Sequence, residues 1–330
     1  MEIRTATQSD LGNLYAFNAK IYPGKKINSK NYIDFWLSRN EEAINHVWLV
    51  LDDAGNIVGQ DFLNPMSFYY EGIKYDSYWG FDLIVEEKYR KDAWGAFLMF
   101  EVSRAYRKNF YSTGSGPAAL DLNLKLGVCN LGQLRKYVGI VNPLCLITSV
   151  GRGIIDINKY PTLIKLKNKS FKMVSKEAIP SYSEPFNQQL LEISRDKDLM
   201  HWRFNNSLHR YMIYLNDSSD DYFVMRTTVI HGVTTAILVD YRCRVGDKEG
   251  FTDILEAAIM VTSKLHLSIL ITGSSHKDFD KVLESYWFKS VGRPRPIIGP
   301  NRYKDREQDI INRDFCFVTL ADSDGETNWI

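Results

Sequence analysis

The sequence predicts an α+β chain made of two copies of one unit in tandem, each a mixed, mostly antiparallel sheet flanked by helices. Three observations carry this. Strand patterns joined by short turns fill residues 46–85. A strand then leads into a helix through a corner of small residues at 83–100. The same order of strands and helices returns after residue 175. At roughly 150 residues per domain, a chain of 330 residues has room for two cores.

Residues 3–7 read as a short strand. Ser9 is a natural N-cap, with Asp10 in the first turn, for a helix to residue 19, and Tyr22-Pro23-Gly24 stops it. Residues 31–38 read as a second helix with Tyr32, Phe35 and Trp36 on one side. Strands over 46–51, 57–70 and 73–85 are joined by turns at 52–56 and at Glu71-Gly72. A helix over 93–107 and a strand from 110 follow. The next helix starts with Pro117 in its first turn and ends at Gly127; a strand over 138–147 comes after it. In the second copy, helices are expected at 184–194 and 196–205. Strands at 211–215, 222–230 and 234–242 come next, with His231-Gly232 as a hairpin turn. A helix at 251–265, a strand at 267–272, a helix at 277–287 and a strand at 315–320 complete the unit.

Composition bounds the function. The chain is 45% hydrophobic, 25% charged and 13% aromatic, which fits a globular protein and excludes a disordered one. Forty-one basic against 40 acidic residues give a net charge of +1, so no overall positive field points to a nucleic-acid partner. The four cysteines are far apart with no CxxC pair, and the six histidines are not clustered; no metal site is expected. The start lacks a basic and apolar signal region, and no apolar run reaches about 18 residues. The expectation is a cytoplasmic protein with no membrane span.

The most informative stretch is LIVEEKYRKDAWGAFLMF at 83–100. A strand ends, a short loop follows and a helix opens at Ala93, Gly95 and Ala96. Unpaired amides and the helix dipole at such a corner bind phosphate, and small residues let it approach the backbone. Arg90 and Lys91 add positive charge. Asp82 is a carboxylate inside the apolar strand WGFDLIV. Such a group needs hydrogen bonds or a wet cleft, which makes it a candidate base or amine anchor as well as a candidate structural cap. Asp76 and Ser77 lie on the same strand as weaker candidates.

Arg90-Lys91-Asp92-Ala93-Trp94-Gly95 resembles the Arg/Gln-x-x-Gly-x-Gly/Ala pyrophosphate loop of the GNAT superfamily of N-acetyltransferases. The preceding Leu83-Ile84-Val85 strand and the stretch ALDLNLKLGV at 119–128 are also similar to that family. The sequence departs from the pattern at Ala93, at Glu87 in place of a proline, at Gly116 in place of an asparagine, and at Asn123, where the family often has a tyrosine acid. The resemblance implies two GNAT-like domains: residues 1–150 binding acyl-CoA, a connector at 151–175, and a degenerate second domain at 176–330 contributing to the acceptor site. It implies that acetyl-CoA or another acyl-CoA, as co-substrate, is held by Leu83, Ile84, Val85, Arg90, Lys91, Asp92, Ala93, Trp94, Gly95 and Ala96. In the second half, YRCRVGD at 241–247 has no compact glycine corner, so a single CoA per chain is expected.

Two short motifs resemble tandem-domain N-acyltransferases of polysaccharides and sugar nucleotides: LMHWRF at 199–204 and TLADSD at 319–324. They add Trp202, Asp322 and Asp324 to Ser77 and Ser115 as candidate acceptor-binding residues, with a core aromatic and an acidic tail as the alternative readings. The implied activity is acyl-CoA-dependent N-acylation of a small-molecule amine, an amino sugar or nucleotide-linked amino sugar. The alternatives are an aminoacyl-transfer enzyme of the peptidoglycan-precursor type and a non-catalytic CoA-binding module. The acyl group is left open, as is the oligomeric state, a homo-oligomer included.

Overall fold

The computed structural model describes residues 1–24, 29–167, 169–206, 208–217 and 220–323. The chain forms two compact units. The first takes residues 1–68, 74–131 and 296–307, and the second takes 69–73, 132–295 and 308–330. Sequence reasoning placed boundaries at 150 and 175; the compact units instead divide the chain at 131/132, and the first unit recovers residues 296–307.

In the first unit, β1 (Glu2–Thr5), β2 (Val47–Leu51), β3 (Ile57–Tyr70) and β4 (Ile73–Val85) form an antiparallel run, with helices α1 (Leu11–Ile21) and α2 (Ser29–Leu37) between β1 and β2. Glu71 and Gly72 both have positive φ, as the two-residue turn between β3 and β4 requires. After β4 come the short α3 (Glu87–Arg90) and α4 (Trp94–Tyr106), then β5 (Phe110–Thr113), parallel to β4, and α5 (Pro117–Lys125). Val50, Val58, Leu63, Leu98, Val102, Phe110, Val128 and Ile298 bury the seam between α4 and the sheet. Trp36 of α2 packs against Phe81 with ring centroids 4.0 Å apart, which seats that helix on β4.

The second unit repeats the plan. It begins with β6 (Cys129–Ile140), α6 (Leu146–Ser149), β7 (Leu163–Lys165), β8 (Ser170–Met173), β9 (Leu191–Ile193) and α7 (Lys197–Phe204). β10 (Met212–Asn216), β11 (Tyr222–Ile230) and β12 (Val233–Arg242) are antiparallel, and α8 (Lys248–Lys264) leads to β13 (Ile269–Ser274), parallel to β12. Then come α9 (Lys277–Ser285), β14 (Lys289–Ser290), α10 (Glu307–Asn312) and β16 (Cys316–Phe317); β15 (Arg295–Gly299), between β14 and α10 in the chain, lies in the first unit from residue 296 on. Hairpin, helix and parallel strand thus occur twice, as β3-β4-α4-β5 and β11-β12-α8-β13. The expected α+β class and repeated element order are what the structure has.

Within residues 151–175 the short strands β7 and β8 pair with each other, and β8 pairs with β10. Two expectations are corrected. The helix expected over 184–194 is a turn followed by β9. Glu192 accepts hydrogen bonds from the amides of Phe186 (3.2 Å) and Asn187 (2.9 Å), and this pins the turn. The strand expected at 138–147 is β6, which starts at Cys129. In each unit one strand comes from the other half of the sequence: Ile297 and Ile298 of β15 pair with Thr113 and Ser112, and β6 pairs with β13 from Ile269↔Ile140 to Ser274↔Arg135.

Candidate functional site

β4 and β5 pair over Tyr78↔Phe110, Trp79↔Tyr111 and Gly80↔Ser112, and β5 pairs with β15 along its other edge. The final turns of β4, residues 81–85, therefore run on without β5 as a partner. Asp82, at φ +59°, is where the strand bends. A glycine inside a strand, here Gly80, is the usual mark of such an irregularity. Its φ is not positive, and a Cβ there would overlap the ring of Phe110, so Gly80 allows close packing and the bend belongs to Asp82.

Asp82 is half-buried. It accepts hydrogen bonds from the Tyr22 hydroxyl (2.5 Å) and from Gln60 Nε2 (3.4 Å). Gln60 is in turn fixed by Asn18, whose Nδ2 donates to Gln60 Oε1 at 2.7 Å. Asp61, the next residue on β3, is buried. Burial, then the negative charge of Asp82, pushes its carboxyl well above the usual carboxylate range. The site therefore holds two carboxyl groups, of which Asp61 has the raised proton affinity. Tyr22, Asn18, Gln60 and Asp61 were missed from sequence.

Leu83, Ile84 and Val85 end β4 as expected. Arg90 donates through Nε to the Val85 carbonyl at 2.7 Å, which ties the loop back to the strand end. Lys91, Asp92 and Ala93 are exposed, and Trp94, Gly95 and Ala96 open α4 half-exposed. Ala93 sits at φ +61°, ψ 16° as the N-cap, the left-handed conformation for which glycine is the usual residue. It provides no side-chain cap, and the amides of Trp94 and Gly95 have no carbonyl partner among the described residues. A Cβ added to Gly95 would meet only Val85 Cγ2, at 3.7 Å. Packing does not demand glycine there, and the space outside the helix end is open. These residues fit an anion such as a pyrophosphate.

The other candidates fall elsewhere. Ser77 is buried, and its hydroxyl donates to the Asn109 carbonyl. Asp76 is exposed and accepts from Ser67 Oγ at 3.3 Å. Ser115 is half-buried between β5 and α5, and Asn123 is buried on α5. In the second unit Trp202 is half-buried on α7. Asp322 is buried and accepts from Arg195 Nη2 at 2.8 Å and from the Thr319 amide at 2.9 Å, in a cluster where Arg195 also bonds Asp240. Asp324 lies outside the described residues. Among the described residues no group of His, Cys, Asp or Glu could hold a metal ion, and no helix is long and apolar enough to cross a membrane.

The start of α8 shows the contrast. Asp247 caps it with its own carboxylate, accepting from the Gly250 amide at 3.0 Å, and the Val245 amide donates to Asn187 Oδ1 at 2.7 Å. The place where an anion would sit is filled by a side chain of the same loop.

No protein-family model matches the chain, and no curated protein matches it. Solved structures do. A GCN5-related N-acetyltransferase from Anabaena variabilis superposes with a TM-score of 0.61 at 12% identity, over 90% of this chain and 72% of that one. Saccharomyces cerevisiae N-myristoyltransferase with bound myristoyl-CoA gives 0.59 at 14% identity, over 91% and 82%. A GCN5-related N-acetyltransferase from Kribbella flavida gives 0.57 at 12% identity, over 90% and 71%. The chain has the fold these proteins share.

Proposed function

We propose that this protein is an acyl-CoA-dependent N-acyltransferase, and that its acceptor is a small amine, an amino sugar or nucleotide-linked amino sugar. The observation that carries the reading is the uncapped N-terminus of α4 at the end of a strand that has left its neighbour, with Asp82 on that same strand. Similarity in fold to an N-myristoyltransferase with bound myristoyl-CoA and to GCN5-related N-acetyltransferases supports it.

In this reading the amides of Lys91 to Gly95 and Arg90 bind the pyrophosphate. The unpaired edge of β4 beyond Gly80 pairs with the amide groups of the cofactor arm. An amine attacks the thioester carbonyl, the carbon–sulfur bond breaks, and CoA leaves as a thiolate. The amine must be neutral to attack, so an ammonium anchored by Asp82 gives up its proton to that carboxylate. Asn123 has no proton of the right acidity for the thiolate, and the leaving group takes its proton from another donor. The test is calorimetric titration with acetyl-CoA, followed by thiol release with a panel of amino sugars and nucleotide-linked amino sugars. Binding without thiol release from any amine would leave a CoA-binding module, and absence of binding would end the proposal.

A further inference from the structure

At the far end of α4, roughly 20 Å from its N-terminus for a helix of this length, lies a concavity of about 510 Å³. Its walls are Arg107, Lys108, Gly127, Pro300, Asn301 and Arg302. Three of the six are cations and none is an acid. None of the three forms an ion pair with a described residue.

The walls are built rather than loose. The turn after α4 is closed by the Asn109 amide on the Tyr106 carbonyl (2.7 Å), and Cys129 Sγ donates to the Pro300 carbonyl (3.1 Å). Arg302 arrives from a segment 194 residues further along the chain than Lys108. Its Nη2 donates to the Lys108 carbonyl at 2.5 Å and to Asn109 Oδ1 at 3.4 Å, and its guanidinium carbon lies 4.8 Å from the Tyr75 ring centre. These contacts use part of a five-donor fork and hold it in place.

Arg107 and Lys108 lie at the negative end of the α4 dipole, and Arg302 reaches the same helix end from a distant segment, held there by the Lys108 carbonyl and the Tyr75 ring. Three cations thus line one concavity with no acid in its wall to balance them. We propose that this concavity binds a phosphate-bearing small molecule. Its volume lies in the range of ordinary ligand sites, and a lining that holds an arginine fork and two more cations suits a phosphate group. The site is separate from the α4 N-terminus and does not depend on the acyltransferase reading.

The test is calorimetric titration of the full chain with ADP and, separately, inorganic phosphate. It compares wild type, Arg302→Ala, the double variant Arg107→Gln/Lys108→Gln, and Gly95→Val. The expected result is a saturable binding step that Arg302→Ala and the double variant each weaken at least tenfold and Gly95→Val leaves intact. The double variant keeps the Lys108 carbonyl and removes side chains with no ion-pair partner, so it guards against a folding defect in Arg302→Ala. Absence of any step, a step indifferent to both charge variants, or a step abolished by Gly95→Val alone would overturn the proposal. Tighter binding of a single-stranded oligonucleotide than of ADP through the same three cations would overturn the small-molecule assignment.

Discussion

Replacing Gly95 with valine tests the proposed acyl-CoA loop where fold and binding separate. A Cβ at this position would lie 3.7 Å from Val85 Cγ2, an ordinary contact, and Gly95 does not have positive φ. Valine is no worse a helix former than glycine, so the stability change should stay within about 1 kcal/mol. Binding is different. The branched side chain occupies the space outside the helix end where phosphate oxygens would approach the amides of Trp94 and Gly95. A hydrogen bond to a charged group is worth about 1.5–3 kcal/mol. Losing one such bond gives at least a tenfold loss of affinity, about 1.4 kcal/mol. Calorimetry with acetyl-CoA, run beside a denaturation curve, reads both quantities. A folded Gly95→Val protein that binds acetyl-CoA like wild type would refute the assignment of this loop.

Other outcomes follow from the same geometry. Acetyl-CoA should bind with one molecule per chain, because Asp247 occupies the corresponding place on α8; a stoichiometry near two would overturn this. Asp82→Asn should lower kcat/KM about 10²-fold with acetyl-CoA affinity nearly unchanged, and the deficit should shrink at high pH where the amine is already neutral; wild-type turnover at neutral pH would make the carboxylate structural. Asp61, whose proton affinity burial raises in the folded state, contributes stability that is present at low pH and is lost as pH rises above the ordinary carboxylate range. Asp61→Asn should remove that decline, at most about 1.4 kcal/mol per pH unit; parallel denaturation-versus-pH curves for the two proteins would contradict it.

The hairpins were legible because their turns are local: Glu71-Gly72 and His231-Gly232 stand between long apolar runs, and all four residues take the positive φ those turns need. The helix corner at Ala93 was legible for the same reason. The exchange of β6 and β15 was not, because nothing local says that a strand at 295–299 pairs with one at 110–113. In β6 the buried positions change phase between Leu134 and Tyr137, so a strict alternation never appears. Asp61 carried a signal that went unused: it is an acid within Val58-Gly59-Gln60-Asp61-Phe62-Leu63, as isolated among apolar neighbours as Asp82. The ion pair of Asp322 with Arg195 was not legible, because the two lie 127 positions apart.

The case for Asp82 as a chemical group rests on what its position would otherwise prefer. A residue held at positive φ inside a strand is strained, and asparagine or glycine meets that demand without a charge. A second carboxyl, Asp61, lies close enough for its proton affinity to rise through the charge of Asp82. A neutral residue at 82 would relieve both. The position nevertheless carries an acid, gripped by Tyr22 and by a Gln60 that Asn18 fixes in turn, on the stretch of β4 that leads into the uncapped helix. Backbone strain that surrounding bonds hold in place is a mark of functional sites. A carboxylate that the backbone does not need, at the point where the strand leaves its neighbour, is what proton removal from an amine would require.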